Sequence, residues 1–174
     1  MPSPVSRSHE QNENSRLLEA RAARLRTPAV KELQLFASVV TFRRALGHYA
    51  LSLTDLREIR GLTKICHIPG ANPIVPGLVH YRGELLSLHD LAVFSGSPPK
   101  QAAAWILVAE HEGRRIGVLA DEVLDVVDIE VGAMQAIPLT LGEFGDVFAG
   151  MTRERVLVLD APRLFQSSRF ISAF

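Results

Sequence analysis

The central part of the sequence holds several residues of the types that bind transition metals. They are Cys66, His67, His80 and His89. Zinc sites need side chains that converge on one ion, and two adjacent residues such as Cys66 and His67 are poorly spaced for that. We therefore expect packed or solvent-facing side chains at these positions, and no metal site.

A second group of residues that could do chemistry is acidic. Asp121, Asp125 and Asp128 lie close together, and paired carboxylates can act as general acid and base. On an extended strand Asp125 and Asp128 point to opposite faces, so the spacing specifies no such pair. The chain also has no Gly-x-Ser-x-Gly elbow, Walker-type phosphate loop or Gly-x-Gly-x-x-Gly fingerprint. We expect a protein that is not an enzyme and holds no cofactor, with these aspartates as charges that discourage association between sheets.

Arg82 is the most informative polar residue, because it lies between two extended apolar runs. Side chains alternate with a period of two over residues 76–82 and again over residues 84–91, which predicts a β-hairpin. Gly83 tolerates a positive φ, so we expect the turn there. The planar guanidinium could bind carbonyl groups of the turn or pair with a carboxylate such as Asp90.

This hairpin resembles the central signature of CheW-like domains, the adaptor modules of bacterial chemosensory systems. Residues 77–83 correspond to the family pattern Gly-Val-x-Asn-x-Arg-Gly, and an apolar strand ending in Asp90-Leu91 follows. His80 stands where the family usually has Asn, and Tyr81 where it usually has Leu. The Glu-Ile-Arg-Gly segment at residues 58–61 and the apolar-Gly pattern at residues 116–123 also resemble the family.

The resemblance implies an all-β fold of two interlocked, five-stranded, SH3-like barrels that share a core. It also implies an adaptor that links the regulatory domain of a CheA-type histidine kinase to the cytoplasmic tips of chemoreceptors. The partner-binding residues that it indicates are Leu56, Glu58, Ile59, Tyr81, Arg82, Gly83 and Val108. The residues that it indicates for the structure of the hairpin are Gly77, Gly83 and Asp90. Two alternatives stay open: Leu56 and Ile59 could be core residues, and Arg82 could be mainly architectural.

The composition narrows the class of protein. The chain has 174 residues, 47% of them hydrophobic and 22% charged, with a formal net charge of zero. This balance disfavours nucleic-acid binding and attachment to anionic lipid. The longest apolar run, residues 102–109, is too short to span a membrane, and the N-terminal residues lack the apolar stretch of a signal peptide. With a single cysteine the chain forms no internal disulfide, so we expect a cytoplasmic protein, located by resemblance at receptor arrays near the inner membrane.

The same patterns divide the chain. We expect a disordered tail and an N-terminal helix in residues 1–31, a CheW-like domain in residues 32–168 and a tail in residues 169–174. Within the domain, residues 95–101 have the composition of a loop, and residues 162–167 that of a short helix.

Two other functions remain open at this point. The first is a CheW-like adaptor of a type IV pilus, gliding or other non-flagellar chemosensory pathway. The second, from another class, is a small β-barrel that binds a ligand or nucleic acid.

Overall fold

The computed structural model describes residues 36–95 and 101–168, which form eleven strands and one short α-helix. The strands are β1 (Phe36–Arg44), β2 (Gly47–Ser52), β3 (Leu56–Gly61), β4 (Cys66–His67), β5 (Gly77–Tyr81), β6 (Glu84–His89), β7 (Trp105–His111), β8 (Arg114–Ala120), β9 (Glu122–Glu130), β10 (Phe148–Met151) and β11 (Leu157–Leu159). The α-helix is α1 (Ala161–Gln166), and 3-10 helices span Leu91–Ser95, Val131–Ala133 and Leu139–Val147.

Four predictions lie outside the described residues. They are the disordered tail, the N-terminal helix, most of the loop at residues 95–101 and the C-terminal tail. The predicted short helix near residue 162 is confirmed as α1. Asp160 caps it by accepting a hydrogen bond from the Arg163 N–H at 3.0 Å. No helix in the described part of the chain is long and apolar enough to cross a membrane.

The strands form two sheets, which confirms the predicted all-β fold. Sheet A has the strand order β10-β11-β2-β1-β9, and sheet B the order β3-β7-β8-β6-β5-β4. Strands β1 and β2 belong to sheet A, β3 to β8 form sheet B, and β9 to β11 complete sheet A. Sheet B has six strands because the two-residue strand β4 adds to the edge of β5.

The apolar side chains form three clusters. The largest is shared: sheet A contributes Phe42 and Tyr49, sheet B contributes Leu107 and Val118, and α1 contributes Phe165. A second cluster lies within sheet B and a third within sheet A. The predicted common core is therefore present.

The sequence of β1 is almost continuously apolar because both faces of this strand are covered. Val39 and Val40 point to opposite faces, yet both are buried. Val39 packs in the cluster of sheet A, and Val40 packs in the shared cluster. A strand covered on both faces carries apolar residues at successive positions and not at alternate ones.

The turn between β1 and β2 lies at Ala45 and Leu46, with φ 52° at Ala45. Gly47 is the first residue of β2. A Cβ atom there would lie 2.1 Å from the Tyr49 Oη, so the glycine is needed because the buried tyrosine ring covers it. Burial raises the pKa of Tyr49 to about 12.

Candidate functional site

Arg82 and Gly83 form the turn of the β5–β6 hairpin, as predicted. Their φ angles are 50° and 90°, and Tyr81 and Glu84 are paired directly across the turn. Positive φ at both central residues is the type I′ geometry, whose twist matches that of the two strands. The turn therefore holds Arg82 at the tip of the hairpin, where its side chain is 66% exposed.

We expect Gly83→Ala to lower the free energy of unfolding by about 1–2 kcal/mol, because a left-handed backbone brings Cβ against the following carbonyl oxygen. No atom outside the turn lies within 4 Å of a Cβ placed there, so the cost is conformational alone. Urea unfolding followed by Trp105 fluorescence measures it. Gly61→Ala is the matched control, since its Cβ is equally free and its φ is not left-handed. An equal loss in both variants would contradict the explanation.

Glu58, on β3, binds Tyr81, the last residue of β5, and Arg82, the first residue of the turn. Its Oε2 accepts a hydrogen bond from the Tyr81 hydroxyl at 2.9 Å and one from the Arg82 Nη2 at 2.7 Å. Strand β3 lies at one edge of sheet B, and β5 is the fifth strand in the order. Contact between such distant strands requires the sheet to curl round on itself. Glu58 therefore joins the two sides of a rolled sheet.

The electrostatics of this contact favour a charged Glu58. The hydrogen bond from Tyr81, and then that from Arg82, hold the pKa of Glu58 below its usual value. Burial raises the pKa of Tyr81, and its bond to Glu58 raises it further. At neutral pH the site therefore contains a carboxylate, a neutral phenol and the Arg82 guanidinium.

Cationic groups surround the Tyr81 ring. The guanidinium carbon lies 5.4 Å from the ring centroid for Arg82 and 5.7 Å for Arg60, within the range of cation–π contact. Nearby, Arg115 pairs with Glu110 at 2.6 Å and with Glu84 at 3.6 Å. Residue types alone did not single out Arg60 or Arg115. We define Glu58, Arg60 and Arg82 as the Glu58–Arg82 surface.

The other predicted partner-binding residues lie in different places. Ile59 is 36% exposed and points to the opposite side of β3 from Glu58, because side chains alternate along a strand. Leu56 is half-buried and packs against the shared cluster. Tyr81 and Val108 are 2% and 0% exposed. Both side chains pack in the cluster of sheet B.

Arg82 pairs with a carboxylate, as one of the two alternatives predicted, but this carboxylate is Glu58 and not the suggested Asp90. The Asp90 carboxylate binds Arg44, at 2.8 Å from Nε and 2.6 Å from Nη2. Arg44 also binds Asp121, which is nearly buried and is therefore not a surface charge as predicted. Burial lowers the pKa of Arg44, but the hydrogen bonds and attraction of the two aspartates raise it on balance. This cluster, at the end of β1, connects sheet A to the ends of β6 and β8.

Gly77 and Asp90, at the two ends of the hairpin, make contacts that shape the backbone around it. A Cβ at Gly77 would lie 2.4 Å from the backbone oxygen of Cys66, so the glycine allows β4 to approach β5. The Asp90 Oδ1 also accepts a hydrogen bond from the Ala92 N–H at 2.9 Å, which begins the 3-10 helix after β6. In residues 36–95 and 101–168, no group of three His, Cys, Asp or Glu side chains could hold a metal ion.

Comparison with known proteins agrees with this geometry. The family model of the CheW-like domain matches residues 38–169. The chain belongs to the CheW-like family. Its match includes the turn with Arg82, the Glu58 that binds it, and both sheets.

Individual proteins of this family are also similar to the chain. A protein named probable chemotaxis protein CheW, from Rhizobium etli, is 26% identical over 80% of this chain and 95% of its own length. Chemotaxis protein CheW from Rhizobium meliloti is 27% identical over 64% and 73%. Protein PilI from Pseudomonas aeruginosa is 29% identical over 55% of each chain.

The scaffolding protein TtCheW from Thermoanaerobacter tengcongensis has the same fold. The TM-score is 0.62 at 21% identity, over 72% of this chain and 90% of that one. The CheW-like fold consists of two SH3-like barrels, so sheets A and B correspond to the barrels that the resemblance implied.

Proposed function

We propose that this protein is a non-catalytic adaptor that couples chemoreceptors to a CheA-type histidine kinase in chemotaxis. It binds the regulatory domain of the kinase and the cytoplasmic tips of methyl-accepting receptors, in the cytoplasm at receptor arrays near the inner membrane. Membership of the CheW-like family supports the proposal. The observation that carries it is the 2.7 Å contact between Glu58 and Arg82, which joins the two signature segments on one surface.

The Glu58–Arg82 surface is suited to binding because its cation is already ordered. Arg82 is held by Glu58 and by the Tyr81 ring, yet two-thirds of its side chain remains exposed. A side chain fixed before binding loses little conformational entropy when a partner arrives. The planar guanidinium has five N–H donors, so donors remain for a carboxylate or carbonyl of the partner after Glu58 is bound.

An adaptor needs a second surface, and the reverse side of β3 offers one. Ile59 is paired with Leu107, two residues from Trp105, so Ile59 and Trp105 share a face of sheet B. They are 36% and 41% exposed. Exposed aromatic and aliphatic side chains of this kind anchor protein interfaces.

Scaffolding requires no chemistry by the adaptor itself. A protein that holds a kinase domain and a receptor tip at once converts their encounter into an intramolecular one and raises their effective concentration. The state of the receptor can then bias the activity of the kinase. The two surfaces on opposite sides of β3 allow both partners to be held together.

We expect Arg82→Ala to weaken binding of one of the two partners about tenfold, which corresponds to about 1.4 kcal/mol. The physical reason is the loss of an exposed, ordered cation. Calorimetric titration with the kinase regulatory domain, and separately with a receptor tip fragment, measures the change. Ile59→Lys should affect the other partner, so the two variants assign the two surfaces.

Arg43→Ala is the matched control for Arg82→Ala. Arg43 is 58% exposed in sheet A and lies 3.8 Å from its ion-pair partner Glu122. It should leave both affinities unchanged. If a folded Arg82→Ala protein binds both partners as well as the wild type does, the Glu58–Arg82 surface has no role in binding. If the wild type binds neither partner, the adaptor proposal itself fails.

The similarity to Protein PilI supports a second candidate within the same class. In this candidate the chain serves a type IV pilus, gliding or other non-flagellar chemosensory pathway. Deletion of its gene separates the two: loss of swimming chemotaxis supports the first, and loss of surface motility with normal swimming supports the second.

A further inference from the structure

Strand β9 forms an open edge of sheet A. It is the last strand in the order, and within residues 36–95 and 101–168 its one strand partner is β1. The pairing is regular from Phe36 opposite Glu130 to Val40 opposite Val126, and after a register shift it resumes from Phe42 opposite Val123 to Arg43 opposite Glu122. The Val126 N–H is bound by the Asp125 carboxylate at 2.8 Å. On the other side of the strand, the alternate residues beyond Val126 direct their backbone N–H and C=O groups away from β1. Such an edge can accept a further strand.

Apolar side chains are exposed along this edge. Leu124, Val126 and Val127 are 36%, 53% and 38% exposed. Val126 lies opposite Val40 and Val127 opposite Val39, so the two valines point to opposite faces of the sheet. An added strand would therefore cover apolar surface on both faces as well as pair its backbone.

The charges on β9 determine which kind of strand fits. The charged residues of this strand are all acidic: Glu122, Asp125, Asp128 and Glu130. A second copy of the chain paired antiparallel about Val126 would place Glu122 opposite Glu130, and like charges directly opposite one another are destabilising. A partner with basic residues would gain attraction along the same edge.

A cavity at the end of β9 also favours a partner strand with basic residues. Its volume is about 200 Å³, and its lining includes the carboxylates of Asp128, Glu130 and Glu154 with one basic residue, Arg153. Ser38 donates a hydrogen bond to Asp128, which holds that carboxylate beside the strand. The excess of carboxylates favours a basic side chain from a strand lying on β9.

We propose that the edge of β9 binds an extended, basic segment of a partner protein, in which basic and apolar residues alternate. The segment adds to sheet A as a sixth strand, with its apolar residues on the face of Val127 and its basic residues on the face of Val126, Asp128 and Glu130, where one of them enters the cavity. This surface is separate from the Glu58–Arg82 surface in sheet B. The inference does not depend on the proposed coupling function, and its test uses neither kinase nor receptor.

The probe is a nine-residue peptide of alternating lysine and valine, titrated into the full chain. We expect saturable binding that weakens with added salt, and slower amide hydrogen exchange at residues 124–128. A peptide of alternating glutamate and valine should not bind. A lysine–valine peptide with two central valines replaced by proline should also fail, because it lacks the backbone donors of a paired strand.

Variants of the protein locate the site. Asp125→Lys with Asp128→Lys should weaken binding at least about tenfold, because attraction becomes repulsion. Glu84→Lys with Glu112→Lys makes the same change in net charge in sheet B and should leave the affinity unchanged. Asp125→Asn with Asp128→Asn, which keeps the side-chain shapes, should give an intermediate loss if the lysine variant does not fold.

Three results would overturn the inference. The first is equal binding of the proline-containing peptide, which excludes strand addition. The second is an equal loss in the Glu84 and Glu112 variant, which shows attraction to the whole protein and not to β9. The third is self-association of the chain through β9 in sedimentation, which would make a second copy the occupant.

Discussion

Replacing Arg44 with methionine is expected to lower the free energy of unfolding by about 3–5 kcal/mol, the typical cost of removing one partner from a buried ion pair. Arg44 is 4% exposed and binds both Asp90 and Asp121. Without it, two carboxylates remain in a region that water hardly reaches, and neither keeps a cation. Methionine fills a similar volume, so the loss reports the charges and not a cavity.

Urea unfolding at neutral pH measures this effect, with Arg43→Ala as the control. Arg43 is the neighbouring arginine on β1 but is exposed, and its ion pair should contribute at most about 1 kcal/mol. A loss below about 1 kcal/mol for Arg44→Met would mean that the two aspartates are accommodated without a cation. Because both sheets contribute to the shared apolar cluster, we also expect the variant to unfold in one transition, with both sheets lost together.

Stability should fall as the pH drops from 6.5 to about 4, because of His89. This residue of β6 is 1% exposed, and burial lowers its pKa from 6.5 to about 4. The unfolded chain therefore binds a proton at a higher pH than the folded chain does. The contribution is fully present above pH 6.5 and is lost as the pH falls towards 4, with a total of about 3 kcal/mol.

The His89→Leu variant isolates this contribution, since leucine cannot take up a proton. Unfolding free energies of both proteins, measured from pH 7.5 to 4.5, should diverge, with the wild type losing about 2 kcal/mol more than the variant. His80→Leu, at an exposed position on the adjacent strand β5, should keep the wild-type slope. Parallel curves for wild type and His89→Leu would show that His89 protonates in the folded protein without cost.

The hairpin at residues 77–89 shows what local sequence can predict. Alternation places Val79 and Tyr81 on one side, and both are buried in the cluster of sheet B with Leu86 and Leu88. Gly83 predicts the turn because few other residues adopt positive φ. Both features depend on neighbours along the chain, so they could be predicted from it.

The partners of the charged residues could not be predicted in this way. Arg82 was expected to bind carbonyl groups of the turn or a carboxylate such as Asp90, and the carboxylate that it binds is Glu58, which is 24 residues away. Arg44 binds aspartates that lie 46 and 77 residues further along the chain. The sequence around a charged residue does not indicate its ion-pair partner when that partner lies on a distant strand of a rolled sheet.

Burial was also decided by the tertiary structure. Ser87 and His89 lie on the side of β6 opposite to Leu86 and Leu88, and alternation alone would expose them. His89 is nonetheless buried, with 1% of its surface exposed. Tyr81 and Val108 are also buried, although the resemblance indicates them for partner contact. Alternation along a strand does not predict this burial.

The sequence by itself determined the all-β class, the hairpin with its turn and the membership of the CheW-like family, because these depend on period-two alternation, glycine positions and a local signature. Only the tertiary structure decided which charges meet, which signature residues remain exposed and which strand edge is open. Those properties arise when strands distant in the chain are brought together, as Glu58 is brought to Arg82 and Arg44 to Asp90 and Asp121.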